Sequence, residues 1–367
     1  MKIPLIKPYI TEKTKQKVLD VLDSGYLTEG PVTKEFEKAF SKYIGCDHAI
    51  AVTSCTTGLE LALRALGIGP GDDVIVPDYT YPATAAVVNI VGAHCIIVDV
   101  DPKSMLIDYD EIEKAITPNT KAIIPVSLFG NPLDYDRLNQ IKSNYDLYIV
   151  EDAACSIGAE FQGQKVGGFA DISVFSLHPR KFITTGEGGM ITTQDSALAD
   201  WMNSYKHFGM NMKNSAREGV VFEIPGTNYK LSNILAAVGL EQLHNVDELL
   251  KSRQKLADRY NSIFKKISNV SLPSVHLEGI HSYQSYCIYT ESRDRIMSTL
   301  RPIGIEVQIG TYSLHMHPAF QDPKYFTLCG DLGGSIQAYK NCLTLPLYHG
   351  LSREDQDSVV EKIAGLI

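Results

Sequence analysis

Lys181 stands in Phe175-Ser-Leu-His-Pro-Arg-Lys181-Phe-Ile-Thr-Thr-Gly-Glu-Gly-Gly189, and 29 residues before it an apolar run ends in Glu151-Asp152-Ala-Ala. A lysine amine condenses with an aldehyde, and an acid holds a heteroaromatic ring nitrogen protonated. One cofactor needs both groups. Pyridoxal phosphate forms a Schiff base with a lysine while an acid pairs with its pyridinium nitrogen. Taken singly, each residue has an ordinary explanation: a lone lysine usually solvates the surface, and a strand-end acid often caps a helix or sits in a loop. The Thr184-Thr-Gly-Glu-Gly-Gly189 turn after Lys181 points to a ligand, because glycines let backbone pass close to one.

A phosphate needs its own cradle. Thr53-Ser-Cys-Thr-Thr-Gly58 lies between an expected strand and an expected helix, so its amides and hydroxyls open a helix N-terminus suited to an anion. A plain helix cap explains the same stretch. Ser176, five residues before Lys181, offers a hydroxyl to the same phosphate. Tyr81, in Tyr79-Thr-Tyr-Pro-Ala83, follows an expected strand end and is placed to stack on the pyridine ring, although a core or rim tyrosine fits there as well. No G-x-G-x-x-G follows a strand, and no phosphate-transfer P-loop is present.

These residues must be positioned by an α/β scaffold. Ala49–Thr53, Asp73–Pro77, Cys95–Asp99, Ala122–Val126, Leu147–Val150 and Ile172–Phe175 read as strands, most of them continuous apolar runs of the kind buried on both faces. Thr57–Leu66 reads as a helix, and helical segments lie between most of the strands. The expectation is βαβ units, a mainly parallel central sheet flanked by helices, and ligands at the carboxyl ends of its strands. Pro-Gly-Asp-Asp at 70–73 and Gly-Asn-Pro at 130–132 are turns. A long helix over Asp247–Lys265 leads into a remainder with a strand at Tyr286–Tyr289 and a helix at Arg293–Leu300. The expected division is a large cofactor domain over 1–246, with an N-terminal arm, and a smaller C-terminal α+β domain over 247–367.

Composition sets bounds on partners and compartment. The chain has 367 residues, 44% of them hydrophobic and 21% charged, with a formal net charge of −9. These are ordinary globular values, and the acidity without a long basic run speaks against nucleic acid. The seven cysteines (Cys46, Cys55, Cys95, Cys155, Cys287, Cys329 and Cys342) have no C-x-x-C spacing, so reduced thiols in a cytoplasmic protein are expected, with no metal site. No apolar signal core opens the chain and no run reaches the length of a membrane span.

With these residues in view, the chain resembles the nucleotide-sugar aminotransferases of the DegT/StrS group, within the aspartate aminotransferase-like fold-type-I pyridoxal phosphate enzymes. The similarity runs from Ile3-Pro-Leu-Ile-Lys-Pro-Tyr and Ser24-Gly-Tyr-Leu-Thr-Glu-Gly-Pro31, through the Asp152 and Lys181 motifs, to Gly226-Thr-Asn-Tyr-Lys-Leu-Ser-Asn233 and Leu345-Pro-Leu-Tyr348. The resemblance implies that Lys181 is the Schiff-base lysine, Asp152 the pyridinium partner, Tyr81 the stacking aromatic, and Cys55, Thr56 and Ser176 the phosphate contacts. It implies that Asn228 reaches the partner subunit's cofactor phosphate, making a homodimer with shared active sites. His315, in Gly304–His315, falls in the substrate-facing region. Two positions depart from the pattern. Cys55 stands where the family usually has glycine, and Cys155 where it often has Gln or His near the cofactor's phenolic oxygen.

The implied reaction moves an amino group from glutamate, through pyridoxamine phosphate, to a keto-sugar nucleotide, commonly a 4-keto-6-deoxyhexose destined for surface polysaccharide or glycoconjugate. Lys181 acts as the general base between the two half-reactions. Arg180, Lys230 and Arg217 are the candidate cations for the nucleotide's charge. A family branch that removes a sugar hydroxyl carries histidine in place of the lysine, so Lys181 favours transamination over a pyridoxal phosphate-dependent dehydratase or lyase. A non-catalytic cofactor-binding regulator has no need to retain Lys181, Asp152 and the phosphate elements together.

Overall fold

In the computed structural model, which describes residues 3–211 and 219–367, the apolar runs form one twisted sheet. Arg217 lies outside the described residues. The eight strands lie in the order His48–Val52, Gly189–Thr193, Ile172–Ser176, Tyr148–Asp152, Thr120–Ile123, Asp73–Pro77, His94–Val98 and Phe326–Leu328. All neighbours pair in parallel except Gly189–Thr193, which is antiparallel to both of its own. Successive side chains of a strand face opposite ways. Within Asp73–Pro77, Ile75 accordingly packs into one core with Phe36, Phe40 and Phe175, while Val74 and Val76 pack into another with Leu59, Leu63 and Val87. Helices cover both faces, as a buried parallel sheet requires.

The antiparallel strand is the main departure from the expected pattern. The connection 177–188 contains no crossover helix, so the chain returns beside Ile172–Ser176 in the opposite sense. That same connection carries Lys181. The expected strand at Ala122–Val126 is instead Thr120–Ile123, since Pro125 lacks the amide that a ladder needs. Leu147–Val150 shifts to Tyr148–Asp152, taking both acids into the strand.

Helix Val246–Phe264 leads to a second core in which Tyr260, Phe264, Leu300, Val359 and Ile363 pack on a three-stranded sheet. That sheet runs Tyr286–Tyr289, Cys342–Leu345, Gln308–Ile309. The N-terminal segment joins it, with Ile3 bridging Ile305. Two segments beyond residue 247 return to the large sheet region. Tyr312–Ser313 pairs with Tyr79–Thr80, and Phe326–Leu328 covers the otherwise open edge of His94–Val98. Among the described residues, no helix is long and apolar enough to cross a membrane, and no group of three potential ligands could hold a metal ion. All seven cysteines are free thiols.

Candidate active site

The loop that carries Lys181 is fixed by its own hydroxyls. Thr184 Oγ1 donates to the Leu177 carbonyl at 2.7 Å and accepts from the Gly186 amide at 2.9 Å. Gly186 sits at φ +91°, a conformation that disfavours a side chain. Gln242 grips the Thr184 backbone from a neighbouring helix, donating to its carbonyl at 2.6 Å and accepting from its amide at 3.1 Å. Next to Lys181, Phe182 lies under the Arg253 guanidinium at 4.9 Å. The loop therefore presents the lysine from a braced backbone.

Lys181 Nζ donates to Cys155 Sγ at 3.1 Å. Burial alone would lower the lysine's pKa, but its bond to Cys155 and the nearby Cys55 and Asp152 outweigh burial and raise it. Asp152 ends its strand with both carboxylate oxygens engaged. Thr84 Oγ1 donates to Oδ2 at 2.8 Å and the Ala154 amide to Oδ1 at 3.2 Å. Burial pushes the Asp152 carboxyl up, and Thr84, Ala154 and Lys181 offset only part of that rise. Glu151 points to the opposite face, where Ser127, Tyr135 and Ser173 all donate to it.

Across the cavity, helix Cys55–Ala65 opens with Ser54 as its cap. Ser54 Oγ accepts from the Thr57 amide at 3.1 Å, and Thr57 Oγ1 accepts from the Ser54 amide, closing a reciprocal box. Gly189 passes so close that a Cβ there would sit 2.6 Å from the Ser54 carbonyl carbon and 2.7 Å from the Cys55 nitrogen. Cys55 Sγ lies between the Val174 carbonyl, to which it donates at 3.6 Å, and Asp152 Oδ1 at 4.0 Å, and burial pushes its thiol well up. The helix start, Ser54 to Thr56, itself lines the cavity.

These groups line one cavity of about 740 Å³. Cys55, Thr56, Tyr81, Asp152, Ser176 and Lys181 all face it, with 97 and 126 residues of chain separating Cys55 from Asp152 and Lys181. Tyr81 is 64% exposed, its ring 6.4 Å from that of Tyr312. Asn228 and His315 do not line this cavity. Asn228 is exposed and pairs its backbone with His207. His315 turns onto the buried Asp78, with Nδ1 2.6 Å from Oδ2 and its amide donating to Oδ1 at 2.8 Å. It ties the returning segment to the sheet, a role that no local sequence signal reveals. Lys230 lies over the Phe208 ring.

Several residues of the site escape sequence reasoning. Thr84, the donor to Asp152, is fully buried three residues beyond Tyr81, in the first turn of helix Ala83–Ile90. Gln308, Thr311 and Tyr312 come from the C-terminal part of the chain and carry no local signature.

The cavity fits pyridoxal phosphate. A buried carboxylate held only by neutral donors and a nearby lysine is matched by a pyridinium cation, and the open helix start suits a phosphate. Fold and site together define a fold-type-I, pyridoxal phosphate-dependent aminotransferase. The profile of the DegT/DnrJ/EryC1/StrS aminotransferase family matches residues 8–364, and the chain belongs to that family. It is 38% identical to the GDP-perosamine synthase of Caulobacter vibrioides, over 98% of this chain and 96% of that one. It is 34% identical to the spore coat polysaccharide biosynthesis protein SpsC of Bacillus subtilis, over 100% and 97%. Among solved structures, the putative sugar aminotransferase Spr1654 of Streptococcus pneumoniae in its PMP form superposes with a TM-score of 0.93 at 31% identity, covering 99% of this chain and 98% of that one.

Proposed function

We propose that this aminotransferase moves an amino group from glutamate to a keto-sugar nucleotide, a 4-keto-6-deoxyhexose, for amino-sugar and surface polysaccharide or glycoconjugate synthesis in the cytoplasm. The observation that carries the reading is the meeting of Lys181 and Asp152 in one cavity beside an open helix N-terminus. The bound cofactor supplies an electron sink and carries the amino group between the two half-reactions. The chain's own residues do the rest. Asp152, locked by Thr84 and Ala154, holds a positive charge at the ring nitrogen. The Cys55–Thr56 helix start and Ser176 take the phosphate, and Tyr81 covers the ring. Lys181 Nζ, once freed, takes the proton from the donor's Cα and returns a proton on the other side of the exchange. The names of the relatives support a sugar substrate, since one is a GDP-perosamine synthase and another serves spore coat polysaccharide synthesis.

Asn228 fits a homodimer in which each chain completes the other's site, because it is exposed and lies outside its own chain's cavity. The test is turnover of glutamate and keto-sugar nucleotides by the pyridoxal phosphate-loaded protein, reading 2-oxoglutarate and amino sugar together. Lys181→Ala is expected to lose turnover by a factor of about 10³ or more. Near-normal turnover in that variant, or a deoxygenated product formed without 2-oxoglutarate, would overturn the reading.

A further inference from the structure

Arg180 is the immediate neighbour of Lys181 and lines the same cavity, yet its charge is unspent. Arg64, Arg137, Arg259 and Arg293 each pair with an acid, whereas among the described residues Arg180 forms no ion pair. Arg253, Arg295, Arg301 and Arg353 also form no ion pair among the described residues, but none of them lines the cavity as Arg180 does. Its partner is neutral: Nη1 donates to Gln308 Oε1 at 3.2 Å. A guanidinium has five N–H donors, so one such bond leaves most of the fork available.

The arginine is also held in place. Its carbonyl accepts from Gln284 Nε2 at 2.6 Å, and the Lys181 amide donates to the His178 carbonyl at 2.8 Å. On the far side, Gln308 Nε2 donates to Glu306 Oε1 at 3.2 Å, and Glu306 Oε2 accepts from the Leu5 amide at 3.0 Å. Leu5 itself lines the cavity. A hydrogen-bonded chain therefore runs from Arg180 across the C-terminal sheet to the N-terminal segment. The acids that line the same cavity are Asp152 and Glu187, and neither bonds to Arg180.

We infer that Arg180 is the anion anchor for the substrates of this cavity, taking a carboxylate or phosphate group in its free N–H fork. The inference rests on the aminotransferase reading, in which both the donor and the acceptor are anions. Lys181 is committed to the cofactor, and the phosphate cradle is filled by the cofactor. Among the described residues, Arg180 is then the remaining arginine or lysine lining the wall, and its planar fork matches both oxyanions.

The test is calorimetric titration of the pyridoxal phosphate-loaded protein with glutarate, a dicarboxylate without an amine, and separately with inorganic pyrophosphate. Wild type, Arg180→Gln and Arg180→Lys are compared, each first shown to hold the cofactor. Arg180→Gln is expected to weaken binding by about 10- to 100-fold, and Arg180→Lys to fall between, since it keeps the charge and loses the fork. Loss for glutarate alone assigns Arg180 to the donor carboxylate, loss for pyrophosphate alone to the acceptor's phosphates, and loss for both to a shared anchor. Unchanged affinities in Arg180→Gln, or no binding of either probe to the wild type, overturn the inference. Neither probe turns over, so failure of the aminotransferase reading shows separately, as absence of 2-oxoglutarate from glutamate in the wild type.

Discussion

Lys206 is fully buried, and replacing it with methionine isolates what a buried charge cluster contributes. Its Nζ lies 3.1 Å from Glu29 Oε2, 3.1 Å from Glu37 Oε1 and 3.1 Å from the Ala51 carbonyl oxygen. At an effective dielectric of about 20, each charge pair is worth about 5 kcal/mol of gross attraction, set against the cost of removing the ions from water. Methionine fills similar volume but strands two carboxylates. Glu29 keeps His207 at 3.0 Å, and Glu37 keeps Lys34 at 2.8 Å and the Ala51 amide at 2.9 Å, so the loss falls at the low end of the range for a broken buried pair, about 3 kcal/mol. Burial alone would raise the Glu29 carboxyl, but the His207 bond and the charges of Lys206, His207 and Lys34 bring it down from 4.5 to about 2. That displacement is worth about 3 kcal/mol of stability, present above pH 4.5 and lost as pH falls toward 2. Urea unfolding of wild type and Lys206→Met at pH 7 and pH 4 reads the effect. The gap is expected at about 3 kcal/mol at pH 7 and to shrink at pH 4, where the stranded Glu29 carboxylate of the variant takes up a proton. A cost under about 1 kcal/mol at pH 7, or one that does not change with pH, refutes the charge-cluster reasoning.

Two further substitutions test the cofactor cradle. Gly189→Ala drives a methyl into the Ser54 backbone, which cannot yield as a side chain would, so a loss of about 2–3 kcal/mol in thermal unfolding and weaker pyridoxal phosphate binding are expected. Wild-type cofactor affinity in that variant refutes the close approach. Thr84→Val removes the donor to Asp152 Oδ2 and is expected to weaken cofactor binding about 10-fold by fluorescence titration, while Thr84→Ser restores it.

What could be read from the chain beforehand follows from where its signals are local. Asp73–Pro77, Tyr286–Tyr289 and Arg293–Leu300 occupy the expected bounds, because apolar runs between turn residues and clear helix patterns are short-range features. The acids of Tyr148–Asp152 hid that strand's end, since most of the donors that satisfy them, Ser127, Tyr135, Ser173 and Thr84, come from elsewhere in the chain. The sense of Gly189–Thr193 depended on the absence of a crossover, which its glycine-rich approach does not advertise. Lys181 and Asp152 announced themselves by motif. Thr84 and the Gln308–Tyr312 wall did not, because their relation to the site exists only in the folded sheet. The bond of His315 to Asp78, 237 residues earlier, likewise carries no local sequence signal.

The strand Phe326–Leu328 pairs with His94–Val98, more than two hundred residues before it. During synthesis, that edge of the sheet emerges from the ribosome long before the segment that closes it. A nascent chain therefore carries a bare, apolar strand edge for most of its elongation, the kind of surface that recruits another chain or a chaperone. Phe326–Leu328 is the strand that covers that edge once it has been made. Truncation before Phe326 is expected to yield aggregates rather than an isolated cofactor-binding body.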